Sequence, residues 1–142
     1  MTKHPRVLFS FALAIAGLGL LQFTSVADES DAKTEWVYEL RTYTTNEGKL
    51  PNLHARFRDH TVKLFEKHGM KNIGYWTPVD KPNVLVYIIA HKSRDAAKAS
   101  WKAFVSDPNW QKVYKESEKD GAILAKRPES QYLNATDYSP IK

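Results

Sequence analysis

Residues 38–44 read YELRTYT. Threonine and aromatic side chains suit a pleated, half-buried strand. Alternate side chains of a strand share a face. Val37, Glu39, Arg41 and Tyr43 therefore fall on one side, and Trp36, Tyr38, Leu40 and Thr42 on the other. One side is apolar and aromatic. The other sets a carboxylate beside a guanidinium and a phenol. Neither is an ordinary solvent face, so what each side meets decides both the fold and the site.

Working outward, NEGK at 46–49 is a turn signal. A helix starts at Leu50-Pro51, where proline is tolerated in a first turn. Leu50, Leu53, Phe57, Thr61, Leu64 and His68 recur at spacings of three and four, and Gly69 closes the helix. KNIGYWTPV (71–79) reads as a second strand, DKPN (80–83) as the turn of a hairpin, and VLVYIIAHK (84–92) as a nearly continuous apolar third strand. Ser93 can cap the next helix, whose stripe is Ala97, Trp101 and Phe104. DPNW restarts a helix with Asp107 as cap, Trp110, Val113 and Tyr114 facing inward and Gly121 as the stop. ESQYLNATD (129–137) is the last strand.

The order β-α-β-β-α-β predicts an α+β, ferredoxin-like domain: a four-stranded antiparallel sheet with both helices on one face. The polarity of the first strand predicts that the helices cover Trp36, Tyr38 and Leu40, with Val84, Val86, Ile88 and Ala90 beside them. The bare face then carries Val37, Glu39, Arg41 and Tyr43, with Leu85, Tyr87, Ile89 and His91, and with Gly74 and Trp76. Bare aromatic faces seldom stay in water. Two copies can close such faces into a dimeric α/β-barrel about a two-fold axis.

The chain has 142 residues, enough for one domain. Its start, basic at Lys3 and Arg6, apolar from Val7 to Leu21 and small at Ser25-Val26-Ala27, has the layout of a secretory signal peptide cut after Ala27. Residues 28–35 read as a flexible leader and 36–142 as the domain. The apolar run falls short of the ~20 residues of a spanning helix; an uncleaved anchor is the alternative. Export would place the mature chain in the periplasm or outside the cell, with no span of its own. Loss of Lys3 and Arg6 takes the formal charge from +5 to +3. That small charge, with lysines and glutamates interspersed, argues against a nucleic-acid partner. With no cysteine, the chain relies on its apolar core and a partner subunit for stability; four tryptophans and seven tyrosines supply one.

These segments also resemble a known family. VYELRTYTTNEGKLPNLHARF (37–57), HGMKNIGYWT (68–77), DPNW (107–110) and YLNATDYSPIK (132–142) are similar, in order, to NIPSNAP proteins. The resemblance implies a dimeric α/β-barrel with ferredoxin-like subunits. It marks Glu39, Arg41, Tyr43, Gly69, Gly74, Trp76, Pro108 and Trp110 as recurrent positions. It implies no reaction. Animal members are associated with mitochondria, vesicle traffic and protein contacts. The third strand departs from the family by ending AHKS, where an aromatic followed by an acid is frequent.

The candidate ligand-binding residues are Glu39, Arg41, Tyr43, Trp76, Tyr87 and His91. Arg41 could present its fork to a carboxylate or carbonyl, or pair with Glu39 to fix register. Tyr43, Trp76 and Tyr87 could wall an apolar pocket. His91 could act as a base or bind a haem iron, or simply pack. His54, His60 and His68 lack the i, i+4 spacing of paired metal ligands, so neither a metal nor a cofactor is expected. The reading is an exported homodimer that binds a small organic ligand or serves as an accessory module. The alternative is an enzyme of the dimeric α/β-barrel type, a cofactor-free monooxygenase, an isomerase or a haem-handling protein.

Overall fold

The computed structural model describes residues 35–142, so the expected signal peptide and nearly all of the expected leader lie outside the described residues. The elements run β1 (Val37–Thr44), α1 (Leu50–Arg56), a π-helical turn (Phe57–Thr61), α2 (Val62–Lys67), β2 (Lys71–Trp76), β3 (Val84–His91), α3 (Arg94–Ser106), α4 (Pro108–Ser117) and β4 (Glu129–Asn134). The sheet is antiparallel with order β2-β3-β1-β4, the ferredoxin-like arrangement. β2 and β4 end three residues earlier than their sequences suggest, at Trp76 and Asn134. Among the described residues no helix is long and apolar enough to cross a membrane.

Local chemistry sets the helix ends. Ser93 Oγ accepts from Ala96 N at 3.0 Å and caps α3. Asp107 caps α4, accepting from Asn109 N at 2.8 Å, and Pro108 follows it. The same carboxylate also accepts from Lys67 (2.6 Å) and pairs with His68 (2.7 Å), tying the end of α2 to the start of α4. Those bonds, Lys67 first, hold its pKa well below the usual carboxylate range. Gly69 follows α2 at φ +76°, a conformation that side-chain-bearing residues rarely adopt. Buried Arg56 braces α1 against the end of α4 through Glu118 (2.9 Å) and Ser117 (3.2 Å).

The core lies between the helices and one face of the sheet. Leu53, Phe57, Phe65, Met70 and Phe104 pack on Leu85, Tyr87 and Ile89. Each such side chain contributes roughly 1.5–3 kcal/mol by leaving water. Phe57 is one hub of the aromatic core: its ring meets Tyr43, Phe65, Tyr75 and Tyr87 at centroid distances of 5.2–6.1 Å.

This packing reverses the expected faces. The cross-strand pairs Glu39↔Ile89, Arg41↔Tyr87 and Tyr43↔Leu85 confirm the grouping read from alternation. The helices, however, cover that group. Tyr38, Leu40, Thr42, Val84, Val86, Ile88 and Ala90 point to the other face, which no helix among the described residues covers. Glu39 can sit beneath the helices because Arg41 of the same strand and Ser130, Trp101 and His91 from elsewhere in the chain satisfy its carboxylate. β3 gave no warning, since both of its faces are apolar. Trp76 is also misplaced by the sequence reading, which set it beside Tyr87. Trp76 pairs with Val86 and Tyr75 with Tyr87, so Tyr75 enters the core and Trp76, 52 % exposed, stands on the bare face. A bulge between Asn72 and Gly74 sets this phase, and strand polarity does not reveal it.

Candidate functional site

The helix-covered face of β1 carries an unusual buried cluster. Glu39 is 1 % exposed and receives four hydrogen bonds. Its Oε1 accepts from Arg41 Nη1 (2.8 Å) and Ser130 Oγ (2.7 Å). Its Oε2 accepts from Trp101 Nε1 (2.7 Å) and pairs with His91 Nε2 (3.0 Å). An ionised carboxylate offers about four acceptor sites, and all four are used. Burial alone would raise the Glu39 pKa. The bonds from His91, Ser130, Trp101 and Arg41 outweigh it and bring the value from 4.5 to about 2. An ionised Glu39 cannot donate, so His91 Nε2 carries the proton in this pair. His91 is fully buried and its Nδ1 has no partner among the described residues.

Arg41 is the group that Glu39 positions. Its guanidinium lies 4.4 Å from the Trp101 ring centroid and 5.5 Å from that of Tyr43. Nη2 approaches Tyr43 Oη at 3.5 Å, and Tyr87 Oη donates to Tyr43 Oη at 3.1 Å. Burial would weaken the charge on Arg41, but the neighbouring phenols and Glu39 keep the guanidinium protonated. Burial, with Tyr43 beside it, raises the Tyr87 phenol pKa well above its ordinary value. The donors outnumber the acceptors: Arg41 Nε has no partner among the described residues, and Tyr43 accepts two contacts while its own proton goes to no described acceptor.

The structure thus brings together five of the six residues singled out from sequence: Glu39, Arg41, Tyr43, Tyr87 and His91. Trp76 lies apart on the bare face. Sequence reasoning missed Ser130 and assigned Trp101 to the core alone. It also missed Tyr132, whose ring lies between His91 (6.3 Å) and the guanidinium of Arg94 (3.3 Å). A buried indole N–H must find an acceptor, and that was the available hint for Trp101. Among the described residues no three of His, Cys, Asp and Glu converge as metal ligands would.

Comparison with known proteins agrees with this architecture. A NIPSNAP family protein with unknown function from Agrobacterium tumefaciens superposes at TM-score 0.66 with 22 % identity, over 78 % of this chain and 96 % of that one. An uncharacterized NIPSNAP-like domain protein from Burkholderia xenovorans gives TM-score 0.65 and 17 % identity, over 75 % and 90 %. A protein from Nitrosomonas europaea described as an antibiotic biosynthesis monooxygenase is more distant, at TM-score 0.56 and 12 % identity over 75 % and 96 %, and shares the fold alone. No curated protein matches the chain. The NIPSNAP family model matches residues 38–140, most of the sequence. The chain belongs to the NIPSNAP family.

Proposed function

We propose that the chain works as an exported homodimer that binds a small organic anion beneath its helices, with Arg41 as the recognition group. One observation carries the ligand reading: a cation fixed on one side by Glu39 and stacked on Trp101 offers donors with no acceptor to receive them. Buried polar groups in folded proteins ordinarily have partners. A carboxylate or enolate oxygen near Arg41 and Tyr43 supplies the missing acceptor. A haem-binding or basic role for His91 fits less well, because its ring is fully buried and its Nε2 is engaged by Glu39.

The binding reading is tested by titrating small hydroxy- and keto-carboxylates into wild type and Arg41→Met, followed by calorimetry. Loss of one charge-assisted contact costs about 1.5–3 kcal/mol, so Arg41→Met should bind at least about tenfold more weakly. If the variant binds as tightly as wild type, or no anion of the panel binds, the reading fails.

The dimer reading rests on the bare face. Leu40, Val84, Val86 and Ile88 are only half-buried there, and Trp76 is exposed. A contiguous apolar face of this kind is a usual partner surface. Protein recovered from a bacterial periplasm should begin at Asp28 by intact mass and sediment as a dimer, and Ile88→Arg should sediment as a folded monomer. A chain that still begins at Met1 sinks the cleavage after Ala27, a chain found only in the cytoplasm sinks the export reading, and a wild-type monomer sinks the dimer.

A further inference from the structure

The segment that follows β4 turns back over the bare face of the sheet. Its Ser139 and Ile141 line one cavity, of about 280 Å³, with Tyr38, Ile73, Ile88 and Leu133. Leu133 pairs with Tyr38 across the β1–β4 ladder and so shares its face. Most of this lining is apolar. Tyr38 is buried, whereas Ile141 is 52 % and Tyr138 84 % exposed.

The segment is shaped by bonds of its own. Ser139 N donates to Thr136 O at 3.1 Å. Ser139 Oγ donates to Ile141 O at 2.7 Å and accepts from Ile141 N at 3.3 Å. Lys142 Nζ donates to the Asp137 carbonyl, and Pro140 fixes one more backbone angle. Among the described residues, no hydrogen bond runs from residues 136–142 to the sheet or to a helix. The turn therefore has a set form, no polar anchor on its own domain and an apolar hollow beneath it. Protein interiors leave few such hollows unfilled. The surface continuous with it is the half-buried row Leu40, Val84 and Val86, with exposed Trp76 beyond.

We propose that residues 138–141 belong to the contact between two copies. A second copy laid on the bare face packs against Tyr138 and Ile141 and fills the hollow beside them. This rests on the dimer reading above and adds the residues outside the sheet that hold it. The occupant is a second copy because one face carries both parts, exposed apolar side chains and an apolar hollow, that a self-complementary two-fold contact needs. A turn already held in shape adds apolar area to that contact at little ordering cost.

Sedimentation over a dilution series gives the dimer dissociation constant of wild type, of Ile141→Asp and of a chain ending at Asp137. Both variants should dimerise at least about tenfold more weakly, since a two-fold contact carries each change twice. Ile141 is half exposed in a single copy, so Ile141→Asp keeps the fold, which circular dichroism checks. Hydrogen exchange should find the Ser139 and Ile141 amides protected in the wild-type dimer and open in the Ile88→Arg monomer. Dimer constants that are unchanged or tighter in both variants overturn this proposal alone, as does equal protection of the two amides in the monomer. A wild type that never dimerises removes the dimer reading and this proposal with it.

Discussion

Glu39→Ala is expected to destabilise the fold by roughly 3–5 kcal/mol, as removal of one member of a buried ion pair does. Four donors lose their acceptor at once, and the Arg41 charge is left without its counter-ion. Glu39→Gln keeps the volume but replaces an oxygen by a donor, which then faces other donors. Chemical denaturation measures both variants. A loss under about 1 kcal/mol, the value of an ordinary hydrogen bond, would show that the network does not hold the sheet to α3.

The same residue sets an acid limit. Its pKa is about 2 in the fold against an ordinary 4.5, so its carboxylate is favoured in the folded state. Its contribution is complete above pH 4.5 and declines as pH falls from there toward 2. The shift corresponds to roughly 3 kcal/mol. Wild type should lose that stability across this window, and Glu39→Ala should show a flatter profile.

Phe57→Ala is the second large effect, at roughly 3–5 kcal/mol. The ring is 5 % exposed and makes edge contacts with four other aromatic rings. Its removal leaves a void where the first helix meets β1, β2 and β3. Phe57→Leu should recover much of the loss by refilling that void. Thermal and urea unfolding check the order wild type, Leu, Ala. Equal stability of the two variants would mean that the site collapses around either side chain.

The element order was legible because each break had a strong local cause: Asn46-Glu47-Gly48, Gly69, Ser93, Asp107-Pro108 and Gly121. What failed was the inference from polarity to side. On β1 the charged alternation lies beneath the helices because Trp101, Ser130 and His91 come from distant parts of the chain to satisfy it. No window of a few residues contains those partners. Phe65 was missed for a different reason. It follows Leu53 by twelve residues, which on a regular α-helix places the two about 120° apart. The π-turn absorbs one extra residue, so both enter the same core, Leu53 at 0 % and Phe65 at 1 % exposure. Constant periodicity cannot anticipate a change of pitch.

The reversal of the two sheet faces alters how a pair of these molecules would count ligands. Had the guanidinium looked onto the uncovered side, joining two copies would have made one chamber with both arginines inside, and filling by one guest could exclude a second. With Arg41 beneath its own helices, joining the uncovered sides sets the two recognition groups back to back, each screened from the other by both sheets. Each copy then keeps a complete site of its own, and the pair titrates as two independent sites, with no direct route for one occupant to oppose the next.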